Sequence, residues 1–134
     1  MNVLCAFCEI LKNDSQEKRI INQNEHAIAI RDGFPLSNGH TLLIPKRHTQ
    51  SFFDLTENER TAILALLDSD KINLDQQYSP DAYNIGINDG KEAGQTVPHL
   101  HIHLIPRYKG DVEDPRGGIR WIMPDKADYW SSKR

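Results

Sequence analysis

Residues 98–106 constrain the fold more than any other part of the chain. They read PHLHIHLIP, with a histidine at every second position and an aliphatic residue between each pair. Successive side chains of a β-strand point to opposite faces of the sheet, so His99, His101 and His103 share one face. The segment therefore predicts a strand with a buried aliphatic face and three imidazoles, spaced roughly 6 to 7 Å apart by the strand rise, on the other.

A row of imidazoles indicates chemistry. Lysine, glutamate and threonine are the usual residues on a solvated strand face, so three alternating histidines are not explained by solvation. Imidazole titrates near neutral pH, and it serves as nucleophile, acid, base or metal ligand. The strand is therefore predicted to act on a small substrate or to hold a metal.

Length and composition predict one soluble globular domain, with the cytoplasm as the expected location. The 134 residues suffice for one hydrophobic core but not for two. No apolar run is long enough for a transmembrane helix, and the chain start lacks the pattern of a secretory signal. The net charge of -3 argues against a nucleic-acid polymer as partner, although small anions remain possible ligands.

The two cysteines stand close together as Cys5-Ala6-Phe7-Cys8. In a cytosolic chain this spacing is more typical of a metal or redox pair than of a structural disulfide. A thioredoxin-type motif requires a preceding strand, and no residues before Cys5 supply one. Zinc requires two further ligands, for which His26, His40, His48 and the three alternating histidines are all candidates.

The remaining segments predict short strands around one long helix. Three further strands are predicted from apolar runs that end at turn residues: 26–32, 40–45 and 82–88. Thr56 and Glu59 form a capping-box signature, so a helix should begin there and reach Tyr78 after about five turns. These elements predict an antiparallel α+β domain whose sheet edge a homodimer would cover.

The histidine segment, read from Gln95 to Ile105, resembles the signature of the histidine triad (HIT) family, whose motif is His-φ-His-φ-His-φ-φ with φ hydrophobic. The similarity extends to three shorter segments: 38–46, 88–90 and 94–97. It implies a catalytic domain over residues 1–108 and a tail, 109–134, that contributes to the site or to a dimer. The implied fold is an antiparallel sheet of about five strands with one long helix and a short N-terminal helix, continued across a homodimer.

The resemblance implies a nucleotide hydrolase that acts on purine nucleoside phosphoramidates or dinucleoside polyphosphates through a nucleotidyl-histidine intermediate. His101 is then the nucleophile, a role that a neutral imidazole performs near neutral pH. His103 protonates the leaving group, and His99 and His40 line the same catalytic site. No organic cofactor is implied.

Nucleotide contacts are implied for two polar residues and one loop. Asp32 matches a position that binds ribose hydroxyls, although an aspartate before Gly33 is also a turn former. Asn88 matches a position on the phosphate side of the nucleotide. The cradle for the phosphate oxygens is implied to come from the N–H groups and the hydroxyl of three loop residues: Gly94, Gln95 and Thr96.

The resemblance also assigns a structural zinc ion to four residues: Cys5, Cys8, His48 and His99. Such an ion would tie the N-terminal segment to the catalytic strand. In the tail, Arg116 and Arg120 either reach further substrate phosphates or form a solvated pair.

Two other functions fit the same residues. In a metal-dependent hydrolase, His99 and His101 would bind a catalytic ion, but no third ligand stands at a matching spacing. A nucleotide-binding protein without turnover would keep the pocket alone. Activity in the presence of a chelator separates histidine catalysis from a catalytic metal.

Overall fold

A computed structural model describes residues 5–131 and contains one five-stranded antiparallel sheet in the order β1-β2-β3-β5-β4. The strands are β1 (Ile20–Gln23), β2 (Ala27–Arg31), β3 (Thr41–Pro45), β4 (Ala82–Gly86) and β5 (Ile102–Arg107). The helices are α1 (Ala6–Lys12), α2 (Glu57–Tyr78) and α3 (Pro124–Ala127). The predicted α+β class and antiparallel sheet are confirmed, whereas β1 was not predicted. The chain start used to predict the missing secretory signal, 1–4, and the tail end, 132–134, lie outside the described residues.

The sheet separates two apolar clusters. Leu100, Ile102 and Leu104 are buried on the face that packs against α2, together with Leu43, Ile63 and Leu74 of the same cluster. The other face packs against α1 through a second set: Phe7, Ile10, Ile28, Ile30, Leu42 and Ile44. The predicted alternation is therefore confirmed for Leu100, Ile102 and Leu104, which all lie beneath α2. No helix among residues 5–131 combines the length and the apolar character needed to cross a membrane.

Two predicted strands are shorter than their apolar patterns. β5 begins at Ile102 rather than at residue 98, because the N–H of Leu100 donates to the carbonyl of Thr49 at 2.7 Å and not to β3. β4 ends at Gly86, two residues before the predicted end. Both departures occur where a strand runs into the loops around the histidines.

Helix α2 begins and ends where its sequence predicts. The Thr56 side chain accepts the N–H of Glu59 at 3.1 Å, and the Glu59 carboxylate accepts the N–H of Thr56 at 2.9 Å. Arg47 donates to both carboxylate oxygens of Glu59 at 2.8 Å and thereby helps to lower the pKa of Glu59 to about 2. This pair ties the segment after β3, which carries His48, to the first turn of α2.

The tail folds back beside β4. A short 3-10 helix, Gly118–Ile122, places Ile119 next to Gly86, with its nearest atom 3.6 Å from where a Cβ of Gly86 would stand. Arg116 pairs with Asp114 at 2.9 Å, and Arg120 donates to the carbonyls of residues 126 and 127 at 2.6 and 3.0 Å. Both guanidinium groups bind the tail itself, and both arginines are exposed. Their contact with substrate phosphates stays a prediction.

Candidate active site

A cleft of about 510 Å³, here called the histidine cleft, opens on the α1 face of the sheet. Its polar wall contains six residues that the sequence predicted: Asp32, His40, Asn88, Thr96, His101 and His103. Its apolar wall consists mainly of Phe7, Ile30, Phe34, Leu36, Leu42 and Val97. The ends of β2, β3 and β5 thus bring together polar side chains that are 71 positions apart in the chain, Asp32 and His103.

A hydrogen bond to the main chain sets the tautomer of the His101 ring. Its Nδ1 lies 3.0 Å from the carbonyl oxygen of His99. A carbonyl only accepts, so Nδ1 carries the proton of the neutral ring and Nε2 keeps its lone pair. Phe7 packs edge-on against the ring at a centroid distance of 5.0 Å and restricts its rotation. The cleft wall therefore holds an oriented ring whose neutral form is the Nδ1–H tautomer.

His40 and His103 form a hydrogen-bonded pair. The N–H of Leu36 donates to His40 Nδ1 at 3.0 Å, so the proton of neutral His40 lies on Nε2. That nitrogen is 2.9 Å from His103 Nδ1 and 3.4 Å from a carboxylate oxygen of Asp32. His103 accepts at Nδ1 and consequently carries its own proton on Nε2.

Both rings of this pair are neutral at pH 7. Burial, followed by the neighbouring His101 and His40, lowers the pKa of His103 to about 4. Burial also lowers the pKa of His40, against the opposing effect of Asp32. A second proton on His103 Nδ1 would face the Nε2–H of His40, which gives the same result. His103 is therefore a neutral ring that donates through its Nε2–H, and not an imidazolium cation.

Asp32 performs one of its two predicted roles within the chain. Its Oδ1 accepts the N–H of Phe34 at 2.8 Å, which forms the predicted turn at Gly33. Its Oδ2 lies toward His40 and the histidine cleft. The carboxylate thus retains an acceptor oxygen at the cleft while it shapes the turn.

The loop before the histidine segment differs from the predicted phosphate cradle. The N–H groups of Gly94 and Gln95 donate to carbonyls of the same loop at 3.0 and 3.1 Å. The Gln95 side chain accepts the N–H of Gly90 at 2.8 Å and donates to two further carbonyls. These groups hold the fold of the loop, and their role as phosphate ligands stays a prediction. Thr96 is the member of the predicted cradle that lines the cleft.

The four predicted zinc ligands, Cys5, Cys8, His48 and His99, converge beside α1 in a group here called the cysteine cluster. The Cys8 sulfur lies 3.1 Å from His48 Nδ1 and 3.5 Å from His99 Nδ1, and the Cys5 sulfur also lies 3.5 Å from His99 Nδ1. In a tetrahedral site with bonds of about 2.3 Å to sulfur and 2.0 Å to nitrogen, neighbouring sulfur and nitrogen atoms are roughly 3.5 Å apart. The two thiols and two imidazoles therefore fit a closed zinc site.

His99 belongs to this cysteine cluster and not to the cleft wall. Its ring is fully buried, and its Nε2–H donates to the carbonyl of Pro45 at 2.8 Å, so Nδ1 is left to face the sulfur atoms. The catalytic site receives only its main-chain carbonyl, which binds His101. A catalytic role of the His99 side chain stays a prediction that this geometry does not support.

Comparison with known proteins identifies relatives along most of the chain. The HIT domain family matches residues 13–110. An uncharacterised HIT-like protein of Mycoplasma genitalium is 38% identical over 105 residues, which cover 78% of this chain and 74% of that protein. The bis(5'-adenosyl)-triphosphatase of Saccharomyces cerevisiae is 36% identical over 115 residues, covering 84% of this chain and 52% of that enzyme. A Zn-bound histidine triad family protein from Mycobacterium smegmatis superposes with a TM-score of 0.71 at 36% identity, covering 80% and 77%.

Proposed function

This chain belongs to the HIT domain family, and on that premise we propose that it is a nucleotide hydrolase. Its substrate is a purine nucleoside phosphoramidate or a dinucleoside polyphosphate, which it cleaves at the α-phosphate to release a nucleoside monophosphate. The observation that carries the proposal is the His101 ring, which keeps an Nε2 lone pair at the cleft while Nδ1–H binds the His99 carbonyl. The similarity to a dinucleoside triphosphatase supports the anhydride substrate.

The proposed reaction has two displacement steps. His101 Nε2 attacks the α-phosphorus, and the bond to the leaving oxygen or nitrogen breaks with its electron pair. The Nε2–H of His103 donates a hydrogen bond to the departing atom and stabilises its negative charge, and that atom takes its proton from solvent. Water then attacks the phosphorus, the P–N bond returns its electron pair to His101, and the proton released by water goes to solvent.

Other residues of the histidine cleft position the nucleotide. The apolar wall around Phe7, Ile30 and Leu42 suits a purine base. The Oδ2 of Asp32, which lies 3.4 Å from His40 Nε2, suits a ribose hydroxyl, because a carboxylate oxygen accepts more than one hydrogen bond. Thr96 and Asn88 lie on the cleft wall, where their side chains suit the phosphate.

Cys5, Cys8, His48 and His99 would hold a structural zinc ion. When bound, the ion supplies a cross-link between α1, the loop after β3 and the residues before β5, with no open position for substrate. The residues that act on the phosphate are all on the other side of His99, where only its carbonyl takes part.

The structure disfavours the alternative of a catalytic metal on His99 and His101. The Nδ1 of His99 faces two sulfur atoms, whereas the Nδ1 of His101 donates to a carbonyl, so the two rings do not converge on one ion. Asp32, His40 and His103 also lie within ligand range of one another. In that group, however, the His40 and His103 nitrogens already share a hydrogen bond at 2.9 Å.

Trapping the intermediate tests the proposal. We expect wild-type protein that is mixed with adenosine 5'-phosphoramidate and quenched in alkaline denaturant, where a P–N bond to imidazole is stable, to carry an adenylyl group on the peptide that contains His101. His101→Ala should lose more than about 99% of kcat, as expected for a missing covalent nucleophile, and should still bind AMP. His26→Ala is the matched control, because His26 lies outside the cleft and the cysteine cluster.

The same experiment separates the alternatives. Wild-type protein that binds AMP without any turnover would be a binding protein. Turnover that survives in His101→Ala and disappears with a chelator, while the protein remains folded, would indicate a catalytic metal. Either result would overturn the proposed histidine mechanism.

A further inference from the structure

A second cleft of about 650 Å³, here called the tail cleft, lies next to the histidine cleft. Three residues line both clefts: Leu36, Asn88 and His103. The floor of the tail cleft comes from β4 and β5, and its far wall comes from Ile119, Trp121 and Ile122 of the tail. The two clefts are therefore adjacent, and His103 lies between them.

The tail cleft is chemically apolar. Ile119, Trp121 and Ile122 are 61%, 47% and 75% exposed, so the tail presents large apolar side chains to the cleft and to solvent. An aromatic or aliphatic group that enters the cleft would bury this surface.

Charge in the tail cleft is already compensated. Among the described residues that line it, Arg107 is the only lysine or arginine. Its guanidinium donates to both carboxylate oxygens of Asp111, at 2.8 and 2.9 Å, and to the side-chain oxygen of Asn84. Arg116 and Arg120 are bound within the tail and do not line the cleft. A chain of phosphates would therefore meet no unpaired cation on these described walls.

Reaction geometry connects the two clefts. In phosphoryl transfer the attacking and leaving atoms lie roughly in line on opposite sides of the phosphorus. His103, whose Nε2–H serves the departing atom under the proposed function, lines both clefts. A nucleoside in the histidine cleft thus directs the leaving group toward the tail.

We propose that the tail cleft is the binding site for the substrate's leaving group, and that this group carries an aromatic or other apolar, uncharged body. The proposal rests on the proposed function and names the substrate class of that site. It makes Ile119 and Trp121 specificity-determining residues.

The tail is organised to keep this wall in place. Gly117 has a φ of 87°, and a Cβ there would stand 3.0 Å from the Trp130 ring, so the close packing favours glycine. The guanidinium of Arg116 stacks on Trp130 at 4.9 Å, and that of Arg120 stacks on Tyr129 at 4.7 Å. A pre-organised wall loses less entropy when it binds a ligand.

Two matched substrates test the proposal: the N-ethyl and the N-(2-phenylethyl) derivatives of adenosine 5'-phosphoramidate. They share the nucleoside and the P–N bond and differ by one phenyl ring. We expect kcat/KM to be about tenfold higher for the phenylethyl substrate, the discrimination that a modest apolar contact gives. Ile119→Ala and Trp121→Ala should each reduce this ratio several-fold. Ile72→Ala is the control, because Ile72 is 56% exposed on α2 and lies outside both clefts.

Binding gives a second readout that does not depend on turnover. In the His101→Ala background the phenylethyl compound should bind more tightly than the ethyl compound, and adding Ile119→Ala should remove the difference. Thermal melting of each variant shows whether it is folded.

Equal kcat/KM values for the two substrates, or ratios unchanged in both tail variants, would overturn the proposal that the tail cleft binds the leaving group. Turnover itself would still support the proposed hydrolase function. A preference for diadenosine triphosphate that Arg116→Ala removes would overturn it as well. Absence of turnover and of the covalent adduct would instead overturn the proposed function, and the binding comparison would then still decide whether the tail cleft accepts an apolar group.

Discussion

Each histidine of the site takes its neutral tautomer from one hydrogen-bonded neighbour. The carbonyl of His99 leaves His101 with a free Nε2, and the N–H of Leu36 places the proton of His40 between that ring and His103. Identical side chains therefore supply a nucleophile, a hydrogen-bond donor and its support. Differences in hydrogen bonding, and not in residue type, separate these proposed roles.

Acid should destabilise the protein through His103. Its pKa is about 4 in the folded chain against an ordinary 6.5, so between these values the unfolded chain binds a proton that the folded chain does not. Above pH 6.5 His103 is neutral in both states and costs no stability. As the pH drops from 6.5 toward 4, the free energy of unfolding should fall.

Urea unfolding of wild type and His103→Gln at pH 7, 6 and 5 measures this effect. We expect the stability difference between the two proteins to change in favour of the variant as the pH falls. Both proteins carry the same cysteine cluster, so any loss of metal affects both. Parallel pH dependences would contradict the burial of a neutral His103.

Local signals predicted some elements better than others. Helix α2 matches its prediction because both ends are decided within the chain segment itself, by the Thr56 cap and by Ser79 in the left-handed region. β1 was missed because Ile20–Gln23 is short and is stabilised by its pairing with β2, which the segment does not encode. The start of β5 was misplaced because the partner of Leu100 is the distant Thr49.

The site shows the same limit. The alternation rule predicted which face carries the histidines, because strand geometry is local. It did not separate His99 from the other two, since that depends on where α1 brings Cys5 and Cys8. The N–H groups of Gly94 and Gln95 were assigned to phosphate because the sequence does not show that the loop satisfies them internally.

The N-terminus of α2 is a test at the scale of an element. Glu59→Gln keeps the size of the side chain but removes the charge that pairs with Arg47 and weakens the cap on Thr56. Because Glu59 is 6% exposed, we expect a loss of about 1–3 kcal/mol in the free energy of unfolding.

Chemical denaturation of Glu59→Gln and Glu57→Gln measures the contribution of this buried pair. Glu57 stands in the same helical turn and is exposed, so its variant should lose only a few tenths of a kcal/mol. Equal losses in the two variants would show that Arg47 contributes nothing beyond a general charge effect.

The whole molecule consists of a sheet with two differently stabilised faces. Helix α2 covers one face with an extensive apolar cluster, whereas the α1 face combines a smaller apolar cluster with the cysteine cluster. Residues 109–131 add the wall of the tail cleft. The predicted division of the chain into a catalytic domain, 1–108, and a tail, 109–134, stays a prediction. β1 and β4 lie at the two edges of the sheet, and continuation of the sheet across a homodimer also stays a prediction.

Zinc should stabilise the molecule as a whole by joining its N-terminal helix to the sheet. Freshly purified, reductant-protected protein is expected to contain about one zinc per chain, and Cys8→Ser should lower both the zinc content and the melting temperature by several degrees. His26→Ala is the control for a general effect of losing a metal-binding side chain. Wild-type protein free of zinc, or a melting temperature unchanged in Cys8→Ser, would contradict the assignment.

The partners that set the two tautomers are main-chain groups, the amide of Leu36 and the carbonyl of His99. Every residue has a carbonyl, and every residue except proline has an amide hydrogen. Over generations, position 36 can therefore accept many replacements without altering which nitrogen of His40 is protonated, provided that the turn keeps its shape. The chemistry of the imidazoles is thus insulated from sequence drift around them, and a lineage can remodel the mouth of the cleft for new substrates while it inherits the same proton arrangement.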